Sequence, residues 1–205
     1  SHNHRPVAGD TEMAEAVKVL ARAHQSLIWT RQRQLNQLRS TLREFYPAAL
    51  EAFAELGHSD ALAVLAVAPT PTLGRQASRS KIASALRRGG RQRRIDERAE
   101  QIQTALRTDQ LTAPALVSEA MGSTVTALVS IAGELTAQIA RIEAEMAESF
   151  DQHPDAEIIR SLPGLGMILG ARVLAEFGDD PNRYADAKCR KNYAGTSPIT
   201  RASGK

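Results

Sequence analysis

Apolar residues recur at spacings of three and four from Met13 onward, through Val17, Leu20, Leu27, Leu35, Leu38, Leu42 and Phe45. This spacing predicts one amphipathic helix over residues 10–46. Asp10 or Thr11 caps it, Glu12 and Glu15 occupy its first turns, and Pro47 ends it. At full length it would be ~55 Å long. His24 and Arg31 fall on the same stripe and are read as residues that set register or snorkel. A second stripe passes through Leu116, Ala120, Ser123, Ala127 or Leu128, Ile131, Leu135, Gln138, Ile142 and Met146 to Phe150. It predicts a second long helix that starts near Thr112 or Pro114. Stripes this narrow must bury each other or a second subunit.

Between the stripes the pattern is shorter. Helical pieces are expected at 48–56 and 60–67, broken by Gly57 and Pro69, with 69–74 as a turn or linker. A short helix near 78–88, a break at Gly89-Gly90 and a helix near 95–107 follow. Residues 1–9 form a tail. His2 and His4 within it are read as solvated rather than as metal ligands. The expected organisation is a tail over 1–9, a helical coiled-coil region over 10–155, and the start of a small separate domain over 156–205. The fold class is all-α: a long-helix stalk carrying a helix–hairpin–helix element.

Composition supports helices. Of the 205 residues, 42% are hydrophobic and only 4% aromatic, whereas sheets lean on aromatic and β-branched side chains. The one cysteine, Cys189, excludes an internal disulfide framework and a cysteine-based zinc site, and points to a reducing cytoplasm. No uninterrupted apolar run reaches membrane-spanning length, so no membrane role is expected.

The net charge of +3 is small, but its distribution is uneven. Residues 75–107 carry +7, residues 108–157 carry −8 and residues 158–205 carry +4. The densest positive group is Arg87, Arg88, Arg91, Arg93, Arg94 and Arg98, around two glycines. Arginine forks suit phosphate, so this cluster is a candidate contact to a nucleic-acid backbone. A solvated face, or a partner for the acidic second helix, is the alternative. No aromatic residue is interleaved with the cluster, so base stacking is not indicated there.

Residues 158–177 contain Leu162-Pro163-Gly164-Leu165-Gly166 between two short helical stretches. This matches a helix–hairpin–helix pattern. Gly164 and Gly166 permit a turn that leaves amides free at a helix N-terminus, where an anion such as DNA phosphate is favoured. Gly170 and Ala171 allow close helix packing. Asp179 and Asp180, at a Gly/Pro turn, are read as caps rather than a metal pair. A short basic helix over 185–193 carries Lys188, Arg190 and Lys191, with Cys189 as a packed or inert thiol. Arg201 and Ser203 lie in the terminal loop, where a serine beside glycine can approach a phosphate. Alone, that pair is a weak sign of a nucleophile.

The Leu-Pro-Gly-Leu-Gly turn, residues 171–184 (Ala-Arg-Val-Leu-Ala-Glu-Phe-Gly-Asp-Asp-Pro-Asn-Arg-Tyr) and residues 193–205 (Tyr-Ala-Gly-Thr-Ser-Pro-Ile-Thr-Arg-Ala-Ser-Gly-Lys) closely resemble the C-terminal domain of insertion-sequence 110/116/902 family transposases. His4-Arg5-Pro6-Val7 is similar to the junction after that family's N-terminal domain, and residues 31–39 to its long linking helix. The resemblance implies DNA transposition by a protein of three parts. These are a RuvC-like domain whose acidic residues hold Mg2+, an oligomerising coiled coil, and a C-terminal domain supplying a serine. That serine falls on Ser203. Some members use a structured guide RNA. The RuvC-like domain would precede residue 1, so this chain is expected to be a middle fragment, inactive alone, bacterial and nucleoid-associated.

Overall fold

The computed structural model describes residues 9–197, and every regular element among them is helical. The elements are α1 (Glu12–Phe45), α2 (Pro47–Ala52), α3 (Ser59–Val67), α4 (Pro71–Gln76), α5 (Arg79–Arg88), α6 (Ile95–Leu106), α7 (Ala115–Asp151), α8 (Ala156–Arg160), α9 (Met167–Phe177) and α10 (Ala187–Tyr193). The all-α expectation holds, and α1 and α7 are the two long helices.

Thr11 caps α1, its hydroxyl accepting from the Ala14 amide at 3.2 Å. Residues 69–74 are not a bare linker, because Thr70 caps α4 by accepting from the Leu73 amide and Pro71 occupies the first turn. Helix α7 begins at Ala115, after both expected starts.

The chain divides into two compact units, one continuous in sequence and the other built from two segments. One contains residues 24–141. In it, Leu35, Leu38, Leu42 and Phe45 of α1 join the core formed with α2, α3, α5 and α6, and Val125, Leu128, Val129 and Ala132 of α7 complete that core. Among the described residues, the other unit contains 9–23 and 142–197. Its core is Ala14, Val17 and Ala21 of α1, Met146 and Phe150 of α7, Ala156, and Ala171, Leu174 and Ala175 of α9. Residues 10–23 and 142–155, expected to belong with the helical region, therefore share their core with the residues that follow 155.

The stripe expected on α1 is buried at Val17, His24, Leu35, Leu38, Leu42 and Phe45. On the first half of α7 the buried face is displaced. Gly122, Val125, Val129 and Ala132 turn inward, while Leu116, Ala120, Ser123 and Ile131 are exposed. The reason is steric. The side chain of Thr70 lies so close to Gly122 that a Cβ there would collide with it, so this face, which also carries Val125, Leu128 and Val129, docks only because position 122 is glycine. An 18-residue window of α7 has mean hydropathy 1.5, enough by length and composition to cross a membrane, although only 28% of it is buried within the chain. An uninterrupted apolar run is a stricter test than this mean, because Ser, Thr, Gly and a rare charge break the run while Ala, Val, Ile and Leu keep the average high.

Candidate nucleic-acid interface

The arginine cluster lies in the 24–141 unit. Arg87 and Arg88 end α5, Gly89 and Gly90 form the turn, and Arg94 opens α6. Gly90 has φ +88, a backbone conformation that side-chain-bearing residues rarely adopt. A side chain at Gly89 would collide with the backbone of Asp60, so glycine lets the turn lie against the start of α3.

The six guanidinium groups are not equivalent. Arg91 donates from Nε to Oδ2 of Asp60 at 2.8 Å, and its Nη2 lies 2.7 Å from the same oxygen. Arg94 forks onto Glu97, with Nε 2.6 Å from Oε2. Hydrogen bonding to Arg94 holds the Glu97 carboxyl below its ordinary range and raises the guanidinium. Arg98 donates to the Ala52 carbonyl at 2.7 Å and lies over the Phe53 ring. Arg87, Arg88 and Arg93 are exposed and make no ion pair among the described residues. A cavity of about 740 Å³ beside the turn is lined by Arg31, Asp60, Arg91, Arg93 and Thr136 among others. Arg31 bridges elements there, donating to Thr136 at 2.8 Å and to the Gly57 carbonyl at 2.5 Å.

The second candidate region lies in the other unit. Helices α8 and α9 are joined by residues 161–166. Gly164 takes φ +81, whereas Gly166 is extended and occupies the position before α9, with no side-chain cap. A Cβ at either glycine would meet nothing within 4 Å, so neither is forced by packing. Gly170 is forced: a Cβ there would lie 2.8 Å from the Phe150 ring. The surroundings of the turn are apolar, with Ile158, Leu162 and Leu169 exposed. Arg160 nearby is engaged with Asp151 at 2.7 Å.

Asp179 and Asp180 both accept from the segment that opens α1, and Asp180 also accepts from its own neighbour, the Asn182 amide, at 2.8 Å. Asp179 accepts from the Thr11 amide and hydroxyl, and Asp180 accepts from the Gly9 amide at 3.0 Å. Buried His153 adds a third contact to Asp179 at 3.1 Å. Its Nδ1 accepts from the Asp155 amide, which places the ring proton on Nε2. Burial raises the Asp179 carboxyl, but the bonds from Thr11 and His153 outweigh it, so the net shift is downward. Buried Asp10 is paired with Arg183 at 2.7 Å. Among the described residues no three His, Cys, Asp or Glu side chains converge as a metal-binding group.

Helix α10 buries none of its residues. Asp186 caps it through the Cys189 amide, and Lys188, Cys189, Arg190 and Lys191 are all exposed. Cys189 is therefore not a packed thiol. Arg201 and Ser203 lie outside the described residues. The sequence reading missed a ring cluster of Phe177, Tyr184 and Tyr193, which come from the end of α9, the following loop and the end of α10 and so lie on no single element.

The family model described as the Transposase IS116/IS110/IS902 family matches residues 156–205. The mini-circle protein of Streptomyces coelicolor named as a transposase for IS117 is 41% identical over all of this chain and half of its own length. An uncharacterised 44.8 kDa protein of IS116 from Streptomyces clavuligerus is 31% identical over 98% of the chain and 49% of its own length. The uncharacterised 42 kDa protein of IS900 from Mycobacterium paratuberculosis is 29% identical over all of the chain. This chain thus spans about half the length of these relatives. No solved structure matches it. With matches running through both long helices as well as the C-terminal segment, the whole chain is similar to proteins of the IS116/IS110/IS902 transposase family.

Proposed function

We propose that this chain is the DNA-holding and assembling portion of a transposase. The observation that carries the reading is the 41% identity, over the whole chain, to the protein named as a transposase for IS117. Exposed Arg87, Arg88 and Arg93 support phosphate contact, with Lys188, Lys191 and Arg201 as further cations. Arg91, Arg94 and Arg98 serve the fold first. The hairpin at Gly164 and Gly166 is a weaker contact, because its surroundings are apolar and its nearest arginine is engaged. DNA is the expected partner, and a structured guide RNA a second.

In the intact protein, Ser203 is the proposed nucleophile. Its Oγ bonds to phosphorus while a DNA oxygen leaves, so the strand is held on the enzyme until another strand end replaces the serine. Mg2+ on a RuvC-like domain outside this chain would stabilise the charge that develops at phosphorus. Replacing Ser203 by Ala in the intact protein should abolish transposition while leaving DNA affinity unchanged. Activity near the unmodified level removes Ser203 from this role.

The exposed apolar stripe of α7 supports self-association, with Leu116 81% and Ile131 46% exposed. It also supports a second reading, a scaffold with no nucleic-acid role. A salt series with duplex DNA separates the two: a scaffold shows no salt-dependent binding, whereas the DNA-holding reading requires it.

A further inference from the structure

The ring cluster behind α10 has features that packing alone does not require. Phe177, Tyr184 and Tyr193 contact one another with centroids 5.5–6.1 Å apart. Arg183 lies 5.8 Å from the Tyr184 ring centre and 5.7 Å from that of Tyr193. Arg190 lies 5.2 Å from Tyr184 and 5.9 Å from Phe177. The two arginines differ in one respect. Arg183 is neutralised by Asp10, whereas Arg190 is exposed and has no carboxylate partner among the described residues. Tyr193 is 52% exposed at the end of a helix that carries Lys188, Arg190 and Lys191 and no acidic residue.

A cavity of about 480 Å³ opens on the Phe177 and Arg190 side of the cluster, lined also by Ile158, Leu162 and Pro181. Asp155, Asp179 and Asp180 also line it, which disfavours a phosphate inside. A flat, uncharged, aromatic group suits the cavity and the half-exposed ring better. The charge of any strand attached to that group belongs over Lys188 and Lys191.

We propose that Tyr193 and Arg190 form a stacking site for unpaired nucleobases, with Lys188 and Lys191 holding the adjoining phosphates. The site rests on the nucleic-acid reading above and narrows it. It requires bases that are out of a duplex, because paired bases have no free face for a side-chain ring.

The test uses the full 205-residue chain and two single strands of ~12 nucleotides. One is oligodeoxyadenylate, and the other is an abasic strand with the same number of phosphates. The base-bearing strand should bind at least about fivefold more tightly, the lower end of what one stacked base contributes. Tyr193→Leu should remove that difference and Tyr193→Phe should keep it. In a Trp29→Phe background, which removes the sole tryptophan, Tyr193→Trp should report binding by fluorescence quenching with the base-bearing strand. The same comparison with oligoadenylate RNA assigns the strand to DNA or RNA by its sugar preference. Equal affinity for the base-bearing and abasic strands overturns the stacking site and leaves phosphate contact standing. Absence of binding to either strand and to duplex DNA at low salt overturns both readings, and because the unmodified chain decides this, misfolding of a variant cannot.

Discussion

Asp179 and Thr11 lie 168 positions apart, yet Thr11 donates its amide at 2.8 Å and its hydroxyl at 2.5 Å to the same carboxylate. The first turn of α1 is thereby tied to the turn after α9. Replacing Asp179 by Ala leaves these donors and His153 Nε2 without their acceptor. The expected cost is about 1 kcal/mol, set mainly by buried His153, because Thr11 is exposed and water can take up its donors. Urea titration monitored by circular dichroism measures it. A change smaller than the experimental scatter means that water replaces the carboxylate at no cost.

The same carboxylate makes stability depend on acidity. Its folded-state pKa is lowered, so the native state binds this proton less readily than the unfolded chain does. The stabilisation is therefore complete above the unfolded value of roughly 4 and is lost as the pH falls through the lower folded value. The stability gap between the unmodified chain and Asp179→Ala should be constant from neutral pH down to about 5 and should close below about 4. Thermal melts of the two proteins across that range check the sign. A gap that widens in acid contradicts it.

Tyr46 and Gly74 form a second close relationship. The Tyr46 side chain is fully buried, its hydroxyl has no hydrogen-bond partner among the described residues, and burial pushes its pKa far above the ordinary range. A side chain at Gly74 would collide with that hydroxyl. Gly74→Ala should destabilise by about 1–3 kcal/mol through overpacking. Tyr46→Phe should stabilise by about 1 kcal/mol, because it removes an unpaired buried polar atom. The double variant should cost less than Gly74→Ala alone, as expected for residues in direct contact.

What could be read along the chain follows from how each signal is encoded. The three/four spacing of α1 is local and strong, and the residues it picked out, Val17, Leu38 and Phe45 among them, are buried. On α7 the same spacing picked out Leu128, Met146 and Phe150, which are buried, together with Leu116, Ala120, Ser123 and Ile131, which are exposed. The partner surface at Thr70 demands glycine at position 122, and that demand comes from a segment 52 residues away. The arginine cluster was visible as composition, but the engagement of Arg91 by Asp60 and of Arg98 by the Ala52 carbonyl was not. Asp179 and Asp180 were recognisable as capping residue types, whereas the helix they cap begins at the other end of the chain. The ring cluster around Tyr193 lies on no single element, so no one element's pattern marks it.

The exposed stripe on α7 gives a prediction about assembly. Leu116 and Ile131 cost apolar exposure in a single chain, and a second copy is the proposed cover. Light scattering after size exclusion should give more than one chain mass. Leu116→Glu with Ile131→Glu should return a single chain mass that still melts cooperatively, because neither side chain belongs to a core of the single chain, while the loss of association lowers the melting temperature. A monomer before substitution removes α7 as the interface. Flotation with lipid vesicles tests the other cover that its hydropathy permits.

The division among the arginines gives the sharpest test of phosphate contact. Neutralising Arg87, Arg88 and Arg93 together to Gln removes charges that no described carboxylate uses, so the fold should be untouched. Each phosphate contact to duplex DNA contributes about 0.9 to the slope of log affinity against log salt. If all three side chains contact phosphate, the slope should fall by about 2–3. Arg91→Gln should behave differently. It strands the Asp60 carboxylate, 14% exposed, beneath the Gly89 turn, so it should lower the melting temperature while changing the salt slope by less than one contact. Equal slopes for the triple variant and the unmodified chain would show that the cluster is a solvated face, and the cations on α10 would then have to carry the binding alone.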